Sequence, residues 1–425
     1  MKDCKNDIKI IKGNIIYTEN SDSFIVIENG FIVVEEGIIE GTYKKLPEQF
    51  INLKIEDYGN KLIIPGFVDL HTHAGQFAIK GIGYDKELLP WLETYTFPEE
   101  AKFEDSIYAK KVYEEFTNEL YDEGTTRAVI FATIHPEATE ILMNLIEEKG
   151  IISYVGKVNM DRNCPDKLKE DSDESIKATI KWIDNCSKKY EFVKPIITPR
   201  FVPSCTSYLM KELGNIAINN SIPVQSHLSE NLSEIEWVKE LHPECDNYGD
   251  VYNTFNLFGQ TKTIMAHCVH LTEDEINTIE KNKVTIAHCP TSNVNVSSGI
   301  APINKLLRRK IQMGLGSDIA GGETLSMFSV MVCAIRISKL KALCFKEQEK
   351  PLTLQEAFYL ATKGGGSFFG KVGSFEKGYE FDALVIDDDD LWKVSKGTIG
   401  ERLERLVYLG NKKNIINRYV YGREI

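Results

Sequence analysis

Two histidines one residue apart close an apolar, β-branched run: FVDLHTH carries His71 and His73 at its tip. In a strand, residues i and i+2 share a face, so both imidazoles project the same way. Further on, His227 falls in IPVQSHLSE, His267 and His270 in TIMAHCVH, and His288 in VTIAHCP, while Asp318 ends IQMGLGSD. Six of the 8 histidines in the chain thus sit at the ends of short apolar runs. The imidazoles of His71, His73 and His227 with the Asp318 carboxylate form a nitrogen and oxygen donor set. Such a set suits Zn²⁺, with Fe²⁺ as second choice, and leaves one position for water. No thiolate is required. Cys268 and Cys289 directly follow histidines, so in a strand they point the other way; a structural zinc knot built from the two His-Cys pairs is the alternative. Glu230 stands three residues after His227, where a strand turns into a loop. From there its carboxylate can reach a substrate, or it can serve as a cap on the next helix.

Something must bring these distant residues together. Eight strand-like runs (FVDLHTH, TTRAVIFAT, IISYVGKV, FVKPIITPRF, IPVQSHLSE, TIMAHCVH, VTIAHCP and IQMGLGSD) alternate with amphipathic stretches such as residues 103–124, 206–220 and 231–241. That alternation predicts an α/β fold, a (β/α)₈ TIM barrel over residues 65–374 whose strand ends converge on one mouth. The chain ends read differently. Residues 1–64 and 375–425 are rich in short β-branched runs, which predicts one small β-sandwich domain assembled from both ends. Asn29-Gly30 is a hairpin signal, since both residues tolerate positive φ. KGGGSFFG near the end matches no phosphate-binding pattern and reads as a structural turn. Asp387–Asp390 reads as a solvated loop, because adjacent like charges repel.

The remaining composition narrows the class. With 425 residues, 42% hydrophobic and 27% charged, the chain reads as an ordinary globular protein without a membrane span. Its N-terminus lacks the apolar core of a secretion signal. The 9 cysteines are scattered and contain no CxxC, a pattern of reduced thiols that suits the cytoplasm. A formal charge of −13 argues against a nucleic-acid polymer as partner but not against a free base.

Longer motifs carry a resemblance over nearly the whole chain. PGFVDLHTHAGQ, WLETYTFPEE, FATIH, GKVNMD, TPRF, QSHLSEN, MAHCVHLT, AHCPTSN and GLGSDIAGG resemble the amidohydrolase superfamily and, within it, the guanine deaminase family. The resemblance implies one catalytic Zn²⁺ on His71, His73, His227 and Asp318, with His267 either a further ligand or a partner of the water. Binuclear relatives carry a bridging lysine at the end of the fourth strand; here TPRF places Arg200 there. The resemblance also sets Gln76, Arg200, Phe201 and Glu230 against a purine. The donor fork of Arg200 matches the paired acceptors O6 and N7 of guanine. Gln76, which both donates and accepts, faces the base or orients the loop. Trp91 and Phe97 pack over the ligand or in the core. The implied reaction is hydrolysis of guanine to xanthine and ammonia, with Glu230, Asp318 and His267 catalytic and a homodimer as the assembly. The alternatives are another heterocycle (8-oxoguanine, an adenine derivative, a triazine) or a barrel that only binds.

Overall fold

A computed structural model describes residues 8–345 and 350–425; Cys4 lies outside the described residues. Eight parallel strands form two four-stranded sheets. One contains Phe67–His73, Thr125–Phe131, Ile152–Gly156 and Val193–Pro195, in that order; the other contains Val224–Leu228, Thr263–His267, Thr285–His288 and Met313–Leu315. Each strand lies within one of the eight predicted runs. The third and fourth runs continue into a short parallel pair, Val158–Asn159 with Thr198–Pro199. Backbone hydrogen bonds join the sheets along both edges. Ile197 donates to Pro223 (2.9 Å) and Gln225 to Ile197 (2.9 Å) on one side; Asp318 donates to His71 (2.8 Å) and His73 to Ile319 (3.0 Å) on the other. The strands are parallel, so their C-terminal ends collect on one side of the molecule.

The helices between them end where the side chains dictate. Ser106–Asp122, Ser207–Asn220 and Leu232–Leu241 are capped by Asp105, Thr206 and Asn231, each of whose side chains accepts from free backbone N–H groups of the first turn. At the third of these, Asn231 and Glu234 form a reciprocal capping box. The cap role is therefore filled without Glu230.

Both chain ends feed one seven-stranded sheet, in the order Arg423–Glu424, Ile415–Val420, Ala383–Ile386, Ile55–Pro65, Ile8–Thr18, Phe24–Glu35, Ile38–Tyr43. Ile11, Ile15, Ile32, Ile63, Phe381 and Val385 share a buried cluster with Tyr419 on this sheet. A buried ion pair fastens it to the parallel strands: Arg127 donates to both oxygens of Asp382 (2.6 and 2.9 Å) and to Glu380 (2.8 Å).

Two readings of these ends are corrected. Asn29-Gly30 is no hairpin turn, because Phe24–Glu35 is one strand running through it. Asn29 takes φ 49° and donates its backbone N–H to the Asn14 side chain (3.0 Å), and the register jumps from Gly13 opposite Gly30 to Ile15 opposite Ile27. The pair makes a bulge, which uses the same positive φ that a turn would. The tight turn falls instead at Glu36 and Gly37, both at positive φ. Nor is Asp387–Asp390 simply solvated. Lys61 pairs with Asp387 and Asp389 at 2.7 Å each, and buried Asp388 accepts from the Arg402 guanidinium at 2.8 and 2.5 Å. Fixed cations relieve the repulsion between neighbouring carboxylates. KGGGSFFG turns only in its second half: residues 363–366 complete a helix and 367–369 make the turn, and the segment is close-packed, since a Cβ on Gly314 of the last parallel strand would stand 2.6 Å from the Gly365 Cα.

Candidate metal centre and substrate cavity

The strand ends bring donor atoms into two groups that share His71: His71, His73 and His227 in one, and His71, His267, Cys289 and Asp318 in the other. His73 Nε2 lies 3.2 Å from His71 Nε2 and 3.1 Å from His227 Nε2, and Asp318 Oδ1 lies 3.1 Å from His71 Nε2 and 3.4 Å from His73 Nε2. Ligands about 2.0–2.1 Å from one tetrahedral ion stand roughly 3.3 Å apart, so the spacing fits a single small cation. Three ring nitrogens turned on one another make poor hydrogen bonds but good ligands. Burial also pushes the His71, His73 and His227 rings below their usual pKa, which keeps them neutral and ligand-competent. Burial works the other way on Asp318, but the imidazoles of His71 and His267 outweigh it and hold the carboxyl well below its usual range.

The surroundings aim these rings. His227 Nδ1 bonds the Arg200 carbonyl (2.6 Å), leaving Nε2 for the centre. Asp69, one turn of the pleat before His71, accepts from the Ser317 N–H (3.0 Å), the Ser317 hydroxyl (2.5 Å) and the His71 N–H (3.2 Å). It ties the HxH strand to the strand that delivers Asp318. Burial raises the Asp69 carboxyl to about 7, against these hydrogen bonds. A Cβ at Gly316 would lie 2.9 Å from both the His71 Cβ and the Cys289 Sγ, so only glycine lets these strands approach so closely. His267 (φ 71°) and Asp318 (φ 51°) both adopt left-handed backbone, a costly conformation that clusters at functional sites.

His267 stands one step off the trio. Its Nε2 is 3.4 Å from Glu230 Oε2 and 3.7 Å from Asp318 Oδ2, while Nδ1 bonds Asn293 Oδ1 at 2.9 Å. Burial lowers its pKa, but Glu230 and Asp318 more than offset that and the net shift is upward. Glu230 is buried, accepts from the Ser298 hydroxyl (2.9 Å) and is raised to about 7 by burial, which the His267 charge opposes and the Glu234 and Asp318 charges reinforce.

Cys289 corrects the expected alternation. Its Sγ lies within 4.8 Å of donor atoms of His71, His267 and Asp318. Alternation itself holds, with the opposite phase: Ala287 and Cys289 share the apolar cluster of Val68, Leu70 and Ala266, so Cys289 rather than His288 faces the centre. Burial raises this thiol well above its usual pKa and keeps it protonated. Cys268 belongs to neither donor group. His270 lies beyond its strand and bonds the Ser298 carbonyl (2.6 Å); His288 is buried and outside both donor groups.

A cavity opens beside the donors, with about 440 Å³ of empty space when its solvent-open mouth is included. His73, His227, His267, Glu230 and Asp318 line one side, and Gln76, Arg200 and Phe201 line it with Leu88, Trp91 and Leu92. Trp91 thus faces the cavity, whereas Phe97 does not line it and packs against the Arg200 guanidinium (5.1 Å from ring centre). Gln76 is held at both ends: its amide donates to Glu100 (3.0 Å), and the Ala320 N–H donates to its oxygen (3.2 Å). Glu100 also accepts from Arg200 Nη1 at 2.5 Å. Sequence reasoning missed Glu100, Asn293, Ser298 and Asp69 as partners. Glu100, Asn293 and Asp69 lie inside quoted motifs and Ser298 lies outside them, and only tertiary contact reveals which polar atom each serves.

Parallel strands with imidazoles and a carboxylate at their tips, beside a cavity, have the layout of a hydrolase of the amidohydrolase type. The amidohydrolase family profile matches residues 62–425, and the chain belongs to that family. Within it, the chain is 39% identical to the guanine deaminase of Dictyostelium discoideum over 98% of both chains, and 33% identical to that of Escherichia coli K12 over 99% of this chain and 98% of the relative. Among solved structures it superposes on guanine deaminase from C. acetobutylicum, crystallised with guanine bound in the active site, with TM-score 0.97 and 52% identity over 99% of this chain and 100% of that one.

Proposed function

We propose that this chain is a metal-dependent guanine deaminase: guanine plus water gives xanthine plus ammonia. The observation that carries the reading is one cavity lined by His73, His227 and Asp318, with His71 3.2 Å from His73, and by the Arg200 and Gln76 donors. The kinship with guanine deaminases supports it. On the same reading the two parallel sheets close into one (β/α)₈ barrel over residues 65–374, and the terminal sheet folds as a β-sandwich. The edge hydrogen bonds at Ile197 and His71 support closure.

The metal site would be held by His71, His73, His227 and Asp318, with Zn²⁺ first and Fe²⁺ second on donor chemistry. Such an ion supplies Lewis acidity and lowers the pKa of water in the site. The protein groups do the rest. Arg200 donates to O6 and N7 of guanine, Gln76 fixes the base edge, and Phe201 packs on the ring. Asp318 takes a proton from the water that adds to C2, and His267 holds the incoming oxygen by a hydrogen bond. Glu230, whose raised pKa leaves it partly protonated near neutrality, gives a proton to ring N3. The C2–N bond then breaks as the amino group takes up a proton, and ammonia leaves. The same kinship supports a homodimer, which light scattering tests, and the free cysteines among the described residues suit a cytoplasmic location. No described helix is long and apolar enough to cross a membrane.

A panel of guanine, 8-oxoguanine, adenine, cytosine and guanosine, followed by ammonia release, tests the substrate. Guanine should lead by at least about a hundredfold in kcat/KM, the scale set by a buried donor pair losing its acceptors. A different leader would reassign the Arg200 and Gln76 wall.

A further inference from the structure

Glu100 touches neither the donor cluster nor the cavity, yet it holds both polar residues of the substrate wall. One oxygen accepts from Arg200 Nη1 (2.5 Å) and the other from Gln76 Nε2 (3.0 Å). The Arg200 and Glu100 side chains are only 3% and 1% exposed. Among the described residues, Glu100 is the one carboxylate within ion-pair distance of Arg200. A buried guanidinium without a counter-charge is costly, and it lowers that cost by attracting any anion that fits beside it. With Glu100 in place the wall offers directed N–H donors and no net charge.

We infer that Glu100 is a specificity-determining positioning residue: by neutralising Arg200 and fixing the Gln76 amide, it makes the cavity prefer an uncharged purine to an anionic one. This rests on the guanine deaminase reading above and deepens it. Guanine is neutral near pH 7. Glu100 accepts from the Gln76 amide while the Ala320 N–H engages the Gln76 oxygen (3.2 Å), so the amide cannot rotate by half a turn. One further N–H and one further lone pair of Gln76 stay free to meet a base edge.

The test uses metal-loaded enzyme and two purines that bind without turnover: urate, an anion at neutral pH, and hypoxanthine, which is neutral. Calorimetry gives the ratio of their affinities, and ammonia release gives kcat and KM for guanine. Glu100→Gln, isosteric but uncharged, should shift the ratio toward urate by at least about tenfold and raise the guanine KM, with metal content unchanged. Adding Arg200→Gln to that variant removes the stranded cation and should return the ratio toward the wild-type value. Glu100→Asp keeps the charge with a shorter reach; it should weaken guanine binding without favouring urate, and it carries the test where Glu100→Gln is not recovered folded. An unchanged urate to hypoxanthine ratio in folded Glu100→Gln overturns the inference, as does a Glu100→Asp variant that favours urate or leaves guanine binding untouched. A wild type that releases no ammonia from guanine overturns the guanine reading, whereas the binding ratio is read without turnover and judges the charge assignment by itself.

Discussion

Replacing Glu230 by glutamine separates a proton-transfer site from a passive one. The change is nearly isosteric. Glu230 is buried and its Oε1 accepts from Ser298 at 2.9 Å, a contact the glutamine carbonyl can keep. The other oxygen, 3.4 Å from His267 Nε2, becomes an amide nitrogen that cannot deliver and recover a proton. Loss of one charge-assisted contact costs about 1.5–3 kcal/mol in stability at most. Loss of general acid catalysis costs far more in rate, about 10²–10⁴-fold, or roughly 2.7–5.4 kcal/mol at 1.36 kcal/mol per decade. Addition of water to C2 leaves electron density on N3, and without a proton there the aromatic ring resists the addition. The assay measures ammonia release at saturating guanine beside metal content, a thermal melt and hypoxanthine binding. The expected variant keeps its metal, melt and binding and loses at least about a hundredfold in kcat. A kcat within threefold or so of wild type, with metal bound, refutes the assignment and leaves N3 protonation to another group.

Three further outcomes follow from particular contacts. Arg200→Lys lacks the planar fork, so guanine kcat/KM should fall at least about tenfold while metal content, measured by elemental analysis, stays put. Gly316→Ala forces a Cβ to 2.9 Å from His71 Cβ and Cys289 Sγ. Such overpacking costs about 1–3 kcal/mol, and metal occupancy after dialysis should drop with the far-UV spectrum preserved. Asp382→Ala takes two charge-assisted contacts (2.6 and 2.9 Å) from the buried Arg127 guanidinium and leaves it Glu380 at 2.8 Å. Urea unfolding should show a loss of about 1.5–3 kcal/mol with guanine kinetics of the remaining folded enzyme unchanged.

Much of the architecture was legible because it is written in local pattern. Each of the eight parallel strands falls inside an apolar run, and a strand period of two is enough to put His71 and His73 on one face. Asp105, Thr206 and Asn231 mark helix starts that any reader of caps would choose. What stayed hidden depends on partners far away in sequence. Asn29-Gly30 carries the positive φ of a turn, but Asn14 on the neighbouring strand captures it as a bulge. Asp388 looks like one of four repelling acids until Arg402 is seen beside it. Cys289 obeys the alternation rule together with Ala287, but the run AHC does not say locally which of His288 and Cys289 faces the centre. Glu100 sits next to Glu99 in FPEE; nothing local distinguishes the one that bridges Gln76 and Arg200 from the one bonded to Tyr108 and Lys102.

The proposed reaction needs a single metal ion held by strand-end histidines and Asp318. Ammonia and xanthine release from guanine before and after chelation, with metal measured in the same samples, checks that need. The expected result is about one Zn or Fe per chain, equal yields of xanthine and ammonia, loss of both on stripping and recovery on adding back one equivalent. Guanine left intact by the fully loaded enzyme, or turnover that persists after the metal is gone, would contradict it.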